Sequence, residues 1–143
     1  MFGGNGFIGK QVCQDLRKNK FDFVSVRLSL DATHEPENPN IDELIVAAAK
    51  EKFDLNIYTN VIINLAHAYP ASFHNSEKLN KKIIKRIISL GKELEQCIVI
   101  QATSETQYFE RHEGILFNDP YVKEKKQALE TLNASGLIVT ELS

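Results

Sequence analysis

Glycines stand at positions 3, 6 and 9 of the opening run MFGGNGFIGK, with the apolar pair Phe7–Ile8 between the last two. A run of this kind suits phosphate. Gly3 lets a chain leave a strand in a tight turn, Gly6 removes a side chain where a pyrophosphate would approach the backbone, and Gly9 lets the following helix pack closely. The helix start adds unsatisfied N–H groups and about half a positive charge. A second phosphate loop, GxxxxGK, fits Gly4 to Lys10, but it needs Ser or Thr next to hold magnesium, and position 11 is Gln. The bulky Phe7–Ile8 pair also suits the buried start of a helix better than a loop wrapped round phosphate. The plain alternative is a glycine turn with no ligand.

A turn of this type must be hung from a strand and lead into a helix. Ile8, Val12 and Leu16 recur every fourth residue, which predicts a helix in GFIGKQVCQDLRKNK. FDFVSVRL, rich in aromatic and β-branched residues, reads as a strand. DATHEPENPN, with Pro36 and Pro39, is a polar loop, and IDELIVAAAKEKF is a second helix without a breaker. NVIINLAHA is a continuous apolar run, as expected for a strand covered on both faces. SEKLNKKIIKRIISLGKELEQ is a third helix whose buried stripe is Leu79, Ile83, Ile84, Ile87, Ile88 and Leu94. QCIVIQATS is another buried strand. PYVKEKKQALETLNAS is a fourth helix with Gly136 as its stop signal, and LIVTEL is a final strand. Helices alternating with short apolar strands predict βαβ units: an α/β fold with a parallel sheet and helices on both faces. The only long loops fall around residues 28–40 and 104–119.

The chain has 143 residues, the size of one domain, so residues 1–143 are read as a single unit. Apolar content of 43% and charged content of 25% are those of an ordinary globular protein. A net charge of −2 argues against a nucleic-acid partner held by bulk charge. Lys78, Lys81, Lys82, Lys85 and Arg86 give the third helix a basic side, but no aromatic residues are interleaved for base stacking, so a solvated face is the better reading. Cys13 and Cys97 make no disulfide framework, and they and the scattered His34, His67, His74 and His112 show no metal spacing. No metal, reduced cysteines and a cytoplasmic setting are expected. No apolar run approaches the roughly 20 residues of a membrane span, and no secretory signal precedes the glycine turn.

FGGNGFIGKQV closely resembles the first turn of the extended short-chain dehydrogenase/reductase superfamily, in its epimerase/dehydratase branch. The family's GxxGxxG maps onto Gly3, Gly6 and Gly9. The resemblance implies a Rossmann-like, doubly wound, three-layer αβα fold with NAD or NADP as cofactor. It implies a cofactor-binding turn of Gly3, Asn5, Gly6, Phe7, Ile8 and Gly9, with Asn64, Leu65 and Ala66 of NLAHAYP bordering the adenine and ribose side. In the family a full strand precedes the turn. Here only Met1 and Phe2 of it are present, so the first strand is mostly missing and the chain reads as a truncated or re-started version of a longer protein. That strand is central in the fold, so marginal stability is expected. In a dinucleotide fold the end of the second strand meets the adenosine ribose, where an acid favours NAD and a base accommodates the extra phosphate of NADP. FDFVSVR ends at Arg27, and the nearest acid is Asp31. A guanidinium grips phosphate with two hydrogen bonds, which favours NADP; the alternative is a solvated surface arginine.

Two further stretches resemble the family. SETQYF follows the strand CIVIQAT as the family's SxxxY segment follows its fifth strand, and PYVKEKKQALETL resembles the YxxxK helix. Carried over residue by residue, Ser104 is the hydroxyl, Tyr121 the acid/base and Lys125 its tuner. Residues four apart share a helix face, so Lys125 can sit beneath the Tyr121 ring. A phenol titrates near 10, and making it a base near neutrality takes a shift of about 3 units, or roughly 4 kcal/mol. Positive charge from Lys125 and the nicotinamide ring has the right sign. The bland alternative has Tyr121 as a half-buried helix-start residue and Lys125 as solvated. The chain departs from the family in three places. Ser104 and Tyr121 are only 17 apart, Ala102 stands where a hydroxyl residue is common, and TELS replaces the usual Arg-Pro. The family's C-terminal substrate region is absent. The resemblance implies an NAD(P)-dependent oxidoreductase of the epimerase, dehydratase or reductase type acting on a nucleotide-linked sugar. The alternative is a non-catalytic dinucleotide-binding or assembly protein of the same fold. The oligomeric state is left open, a homodimer included.

Overall fold

A computed structural model describes residues 1–26, 60–72, 74–94, 96–103 and 119–142. In chain order they form α1 (Phe7–Lys18), β1 (Asn60–Asn64), α2 (Ser76–Glu93), β2 (Cys97–Ala102), α3 (Pro120–Asn133) and β3 (Ile138–Leu142). The short β-branched runs make the strands, and the amphipathic stretches between them make the helices that parallel neighbours require as crossovers. β1, β2 and β3 pair in that order, all parallel. The class is therefore α/β. The helix read in IDELIVAAAKEKF and nearly all of the two long loops lie outside the described residues. Among the described residues no helix is long and apolar enough to cross a membrane.

Register decides which side chains meet. Ile62, Val99 and Val139 stand side by side across the three strands and share one face. That face packs against Ile83, Ile84, Ile87 and Leu90 of α2 and Ala128 and Leu132 of α3. Ile87, Val99 and Leu132 are wholly buried, and each such side chain contributes roughly 2 kcal/mol. The stripe read in α2 holds at Leu79, Ile83, Ile84 and Ile87, while Ile88 and Leu94 are half-buried at its flank and Leu90 takes the deep position. Lys78, Lys81, Lys82 and Lys85 are exposed, and Lys81 pairs with Glu77 one turn earlier.

The other sheet face carries the row Val61, Ile98 and Ile138, of which Val61 is 48% and Ile138 65% exposed. Burial covering both faces of β1 and β2 is therefore corrected. Their residues alternate, because α2 and α3 pack on the Ile62–Val99–Val139 side.

One residue extends the sheet beyond β1. Phe2 bridges in parallel to Asn64 on one side and to Val26 on the other. Its N–H donates to Ile63 O at 2.8 Å, its carbonyl accepts from Leu65 N–H at 3.1 Å, and Val26 N–H donates to Met1 O at 2.7 Å. The strand read in FDFVSVRL is described only as far as Val26, and this bridge is its pairing. The Arg17 guanidinium of α1 lies over the Phe23 ring, 5.2 Å from its centroid, and helps hold the segment.

Candidate functional site

The glycine turn hangs from Phe2 at the carboxyl end of the sheet. Gly3 has φ +80, and a Cβ there would stand 2.7 Å from Ala66 N and Leu65 C. Gly9 lies over Gly3, and a Cβ on it would run into the Gly3 carbonyl oxygen. Packing thus demands glycine at both positions. Gly6 is different. It is exposed, has φ −71, and a Cβ would meet only Gly3 O, at an ordinary 3.4 Å. Among the described residues nothing requires glycine there. Gly6 is the N-cap of α1 and supplies no side-chain cap, so the first-turn amides receive no capping bond from it.

Phe7 is 96% and Ile8 65% exposed, which corrects the reading of that pair as the buried start of α1. The face of α1 turned inward carries Gly9 and Cys13, with Val12 and Leu16 half-buried beside them. Close approach at Gly9 sets the rotation of the helix, and Ile8 falls outside the contact.

α3 presents the second half of the rim. Asp119 caps it, its carboxylate accepting the Tyr121 N–H at 2.8 Å, and Pro120 occupies the first helical position. With the start fixed there, Tyr121, Glu124 and Lys125 share one face. Lys125 Nζ donates to the carbonyl of Ala102, the last residue of β2, at 3.0 Å, and lies 5.8 Å from the Tyr121 ring centroid. Lys125 is buried, so the solvated alternative does not apply to it. Burial lowers its pKa. Tyr121 is half-buried, and its pKa is raised, first by burial and then by Tyr69 and Asp119. That direction is opposite to the lowering expected of a base: burial, Tyr69 and Asp119 all raise it.

His67 joins the two halves. Leu65 and Ala66, against which Gly3 packs, lead directly into it, and its ring stands edge-on to Tyr121 at 5.0 Å between centroids. Tyr69 stacks on the other partner of that pair, 4.9 Å from Tyr121. Behind His67, Glu124 is held by both oxygens. Ser76 Oγ donates to Oε1 at 2.7 Å and Asn80 Nδ2 to Oε2. Glu124 Oε2 is 3.8 Å from His67 Nε2. Burial, followed by repulsion from Lys125, lowers the His67 pKa from 6.5 to about 4.

That shift has a consequence for stability. Below pH 6.5 the unfolded chain takes up a proton that folded His67 refuses until about pH 4. The contribution is whole above the unfolded value and is lost as pH falls through this window. Urea midpoints measured from pH 7 down to 4 are expected to fall for the wild type and to fall less for His67→Phe. Equal slopes would mean that other groups carry the acid sensitivity.

The structure thus brings Gly3, Leu65 and Ala66 together, and Tyr121 with Lys125. Asn5 and Gly6 are exposed beside the turn. Asn64 is buried, its Nδ2 donating to Gln101 Oε1 at 2.7 Å and its Oδ1 accepting the Ala66 N–H at 3.1 Å, so it supports the rim from beneath. Ser104 and Arg27 lie outside the described residues. Tyr69, Asn80 and Glu124 are not singled out by the sequence, and His67 stands there only as one of four scattered histidines. Glu124 could have been found from its place one turn after Tyr121, on the same helix face. Among the described residues no three His, Cys, Asp or Glu side chains converge as a metal site, and Cys13 and Cys97 are buried free thiols.

The fold and rim define an α/β protein with a parallel sheet and a cluster of polar and aromatic side chains at its carboxyl end. No protein-family model matches the chain, and no curated protein or solved structure matches it.

Proposed function

We propose that the chain is the cofactor domain of an NAD(P)-dependent epimerase, dehydratase or reductase, built as a Rossmann-like doubly wound domain and acting on a nucleotide-linked sugar. The observation that carries this reading is Gly6: a glycine that packing does not require, at the uncapped start of a helix, on the same rim as Tyr121 and Lys125. In open α/β sheets ligands bind outside the carboxyl ends of the strands. The pairing of Phe2 between Val26 and Asn64 supports the same topology, with the turn at the middle of the sheet.

A dinucleotide fits these residues. The space that a Cβ on Gly6 would take and the first-turn amides of α1 suit a diphosphate, and exposed Phe7 and Ile8 offer apolar cover beside it. Bound there, the nicotinamide would supply hydride exchange with a substrate carbon. The chain's own side chains handle the oxygen. Tyr121 holds or releases its proton, Lys125 stabilises the phenolate that release leaves, and Ser104 is assigned a hydrogen bond to the same oxygen. NADP is preferred to NAD on the strength of Arg27.

Gly6→Ser tests the site separately from the fold. Serine is at least as good an N-cap as glycine, so thermal stability is expected to stay within about 0.5 kcal/mol of wild type or to rise. The hydroxymethyl group takes the space assigned to phosphate, and NADPH and NADH affinity, read by fluorescence titration, is expected to fall at least tenfold, about 1.4 kcal/mol. Unchanged affinity would move the dinucleotide away from this turn.

A further inference from the structure

The ladder between β1 and β2 ends at the Asn64–Gln101 pair. One step further, the same parallel register would join Ala66 N–H directly to the carbonyl of Ala102. Two amide side chains stand between these groups instead. Ala66 N–H donates to Asn64 Oδ1 at 3.1 Å, Asn64 Nδ2 to Gln101 Oε1 at 2.7 Å, and Gln101 Nε2 to Ala102 O at 2.8 Å. A main-chain N–H only donates and a carbonyl only accepts, so both amides can sit only one way round. Lys125 Nζ donates to the same Ala102 oxygen at 3.0 Å, and both lone pairs of that oxygen are then taken. Asn64, Gln101 and Lys125 are all buried. Strand pairing needs no amide here: Ile62 and Val99, two residues earlier on the same face, pair as aliphatic residues.

We propose that Gln101 is a positioning residue for Lys125: it takes the place of the ladder at the Ala102 carbonyl and leaves one lone pair of that oxygen to anchor the ammonium beside Tyr121. Asn64 acts one step further back, by orienting Gln101. The inference rests on the reading of Lys125 as the group that stabilises the Tyr121 phenolate. Three features support it. Among the described residues Ala102 O is the one hydrogen-bond acceptor of Nζ, so its place decides where the charge sits. The peptide that carries this oxygen is held on its other side too, Thr103 N–H donating to Leu142 O at 2.9 Å. The oxygen is also shared. The Gln101 N–H draws on it, so the carbonyl neutralises the ammonium less completely and charge is left for the phenolate.

Two variants separate positioning from support of the fold. Asn64→Leu strips the partners from Ala66 N–H and Gln101 Oε1, whereas Gln101→Met, close in volume, strips only Asn64 Nδ2. Urea midpoints should therefore fall further for Asn64→Leu. The effect on Lys125 should run in the opposite order. In Gln101→Met the Ala102 oxygen serves the ammonium alone, so the Lys125 titration, followed by NMR of ¹⁵N-lysine-labelled chain, should move up by about one pH unit. Asn64→Leu keeps the Gln101 donor and should move it less. Lys125 also faces His67 and Tyr121, and neither variant alters them. No shift in Gln101→Met, or shifts that follow the order of the stability losses, overturns the proposal. The wild type supplies a test that needs no variant. Gln101 Nε2 and Lys125 Nζ share one oxygen, so the Gln101 side-chain amide signal should move with the Lys125 midpoint, and a signal blind to that titration overturns the proposal as well. An NADPH titration of the same samples separates this inference from the cofactor reading. Lys125 shifts in the expected order without dinucleotide binding sink the cofactor assignment alone, and dinucleotide binding without those shifts sinks this one alone.

Discussion

Phe2→Ala is expected to cost about 3–5 kcal/mol and to leave little of the chain folded. A domain's whole stability is only about 5–15 kcal/mol, so a loss of this size is decisive. Phe2 is wholly buried and belongs to the main core with Val26, Ile62 and Val99. It is also the residue through which the Val26 segment joins the sheet, its own backbone hydrogen-bonded to Ile63 and Leu65. Truncation leaves a cavity at the point where two ladders meet. The glycine turn hangs from the same residue, so ligand binding at the turn is expected to be lost together with the cooperative transition. Phe2→Leu fills most of the space and should cost far less. Thermal and urea midpoints for the two variants check this. An alanine variant melting within a few degrees of wild type would show that the turn and the Val26 segment are held by something other than this side chain.

What could be read in the sequence was what one stretch of chain decides by itself. The apolar spacing in Ser76–Glu93 and the helix-forming run that opens at Pro120 act within a few residues, and those helices formed where the pattern placed them. Burial was harder because it depends on what covers a face. Val61 and Ile98 look like the middle of a buried strand, yet they are a half-open row, since α2 and α3 pack on the opposite side. Ile8 fits a helical stripe, yet the Gly9 contact rotates α1 away from it. The site divides in the same way. Tyr121 and Lys125 share one helix face and were legible from their spacing. Asn80 meets Glu124 across 44 positions and His67 across 13, and no local period brings them together. Only the register of β1 beside β2, which brings α2 and α3 to one face, does so.

Tyr121→Phe is expected to lower turnover of nucleotide-linked sugars by about 10²–10⁴-fold, the usual contribution of a positioned acid or base. The variant keeps the ring, and with it the edge contact to His67, the stack on Tyr69 and the position over Lys125. Melting temperature and dinucleotide affinity should therefore stay near wild type. The pH dependence makes the test sharper. Burial raises the Tyr121 pKa, so at neutral pH the phenol holds its proton and is ready to give it to a carbonyl oxygen. Reduction of the carbonyl is expected to slow as pH rises towards that pKa, and oxidation of the alcohol, which needs the phenolate, to speed up. On the proposed function, Lys125, held by the Ala102 carbonyl, would be the group that stabilises the phenolate in either direction. Both slopes should vanish in the phenylalanine variant when rates are followed by the absorbance of reduced nicotinamide. Turnover equal to wild type would remove Tyr121 from the chemistry. Slopes that persist in the variant would assign the titration to another group on the rim.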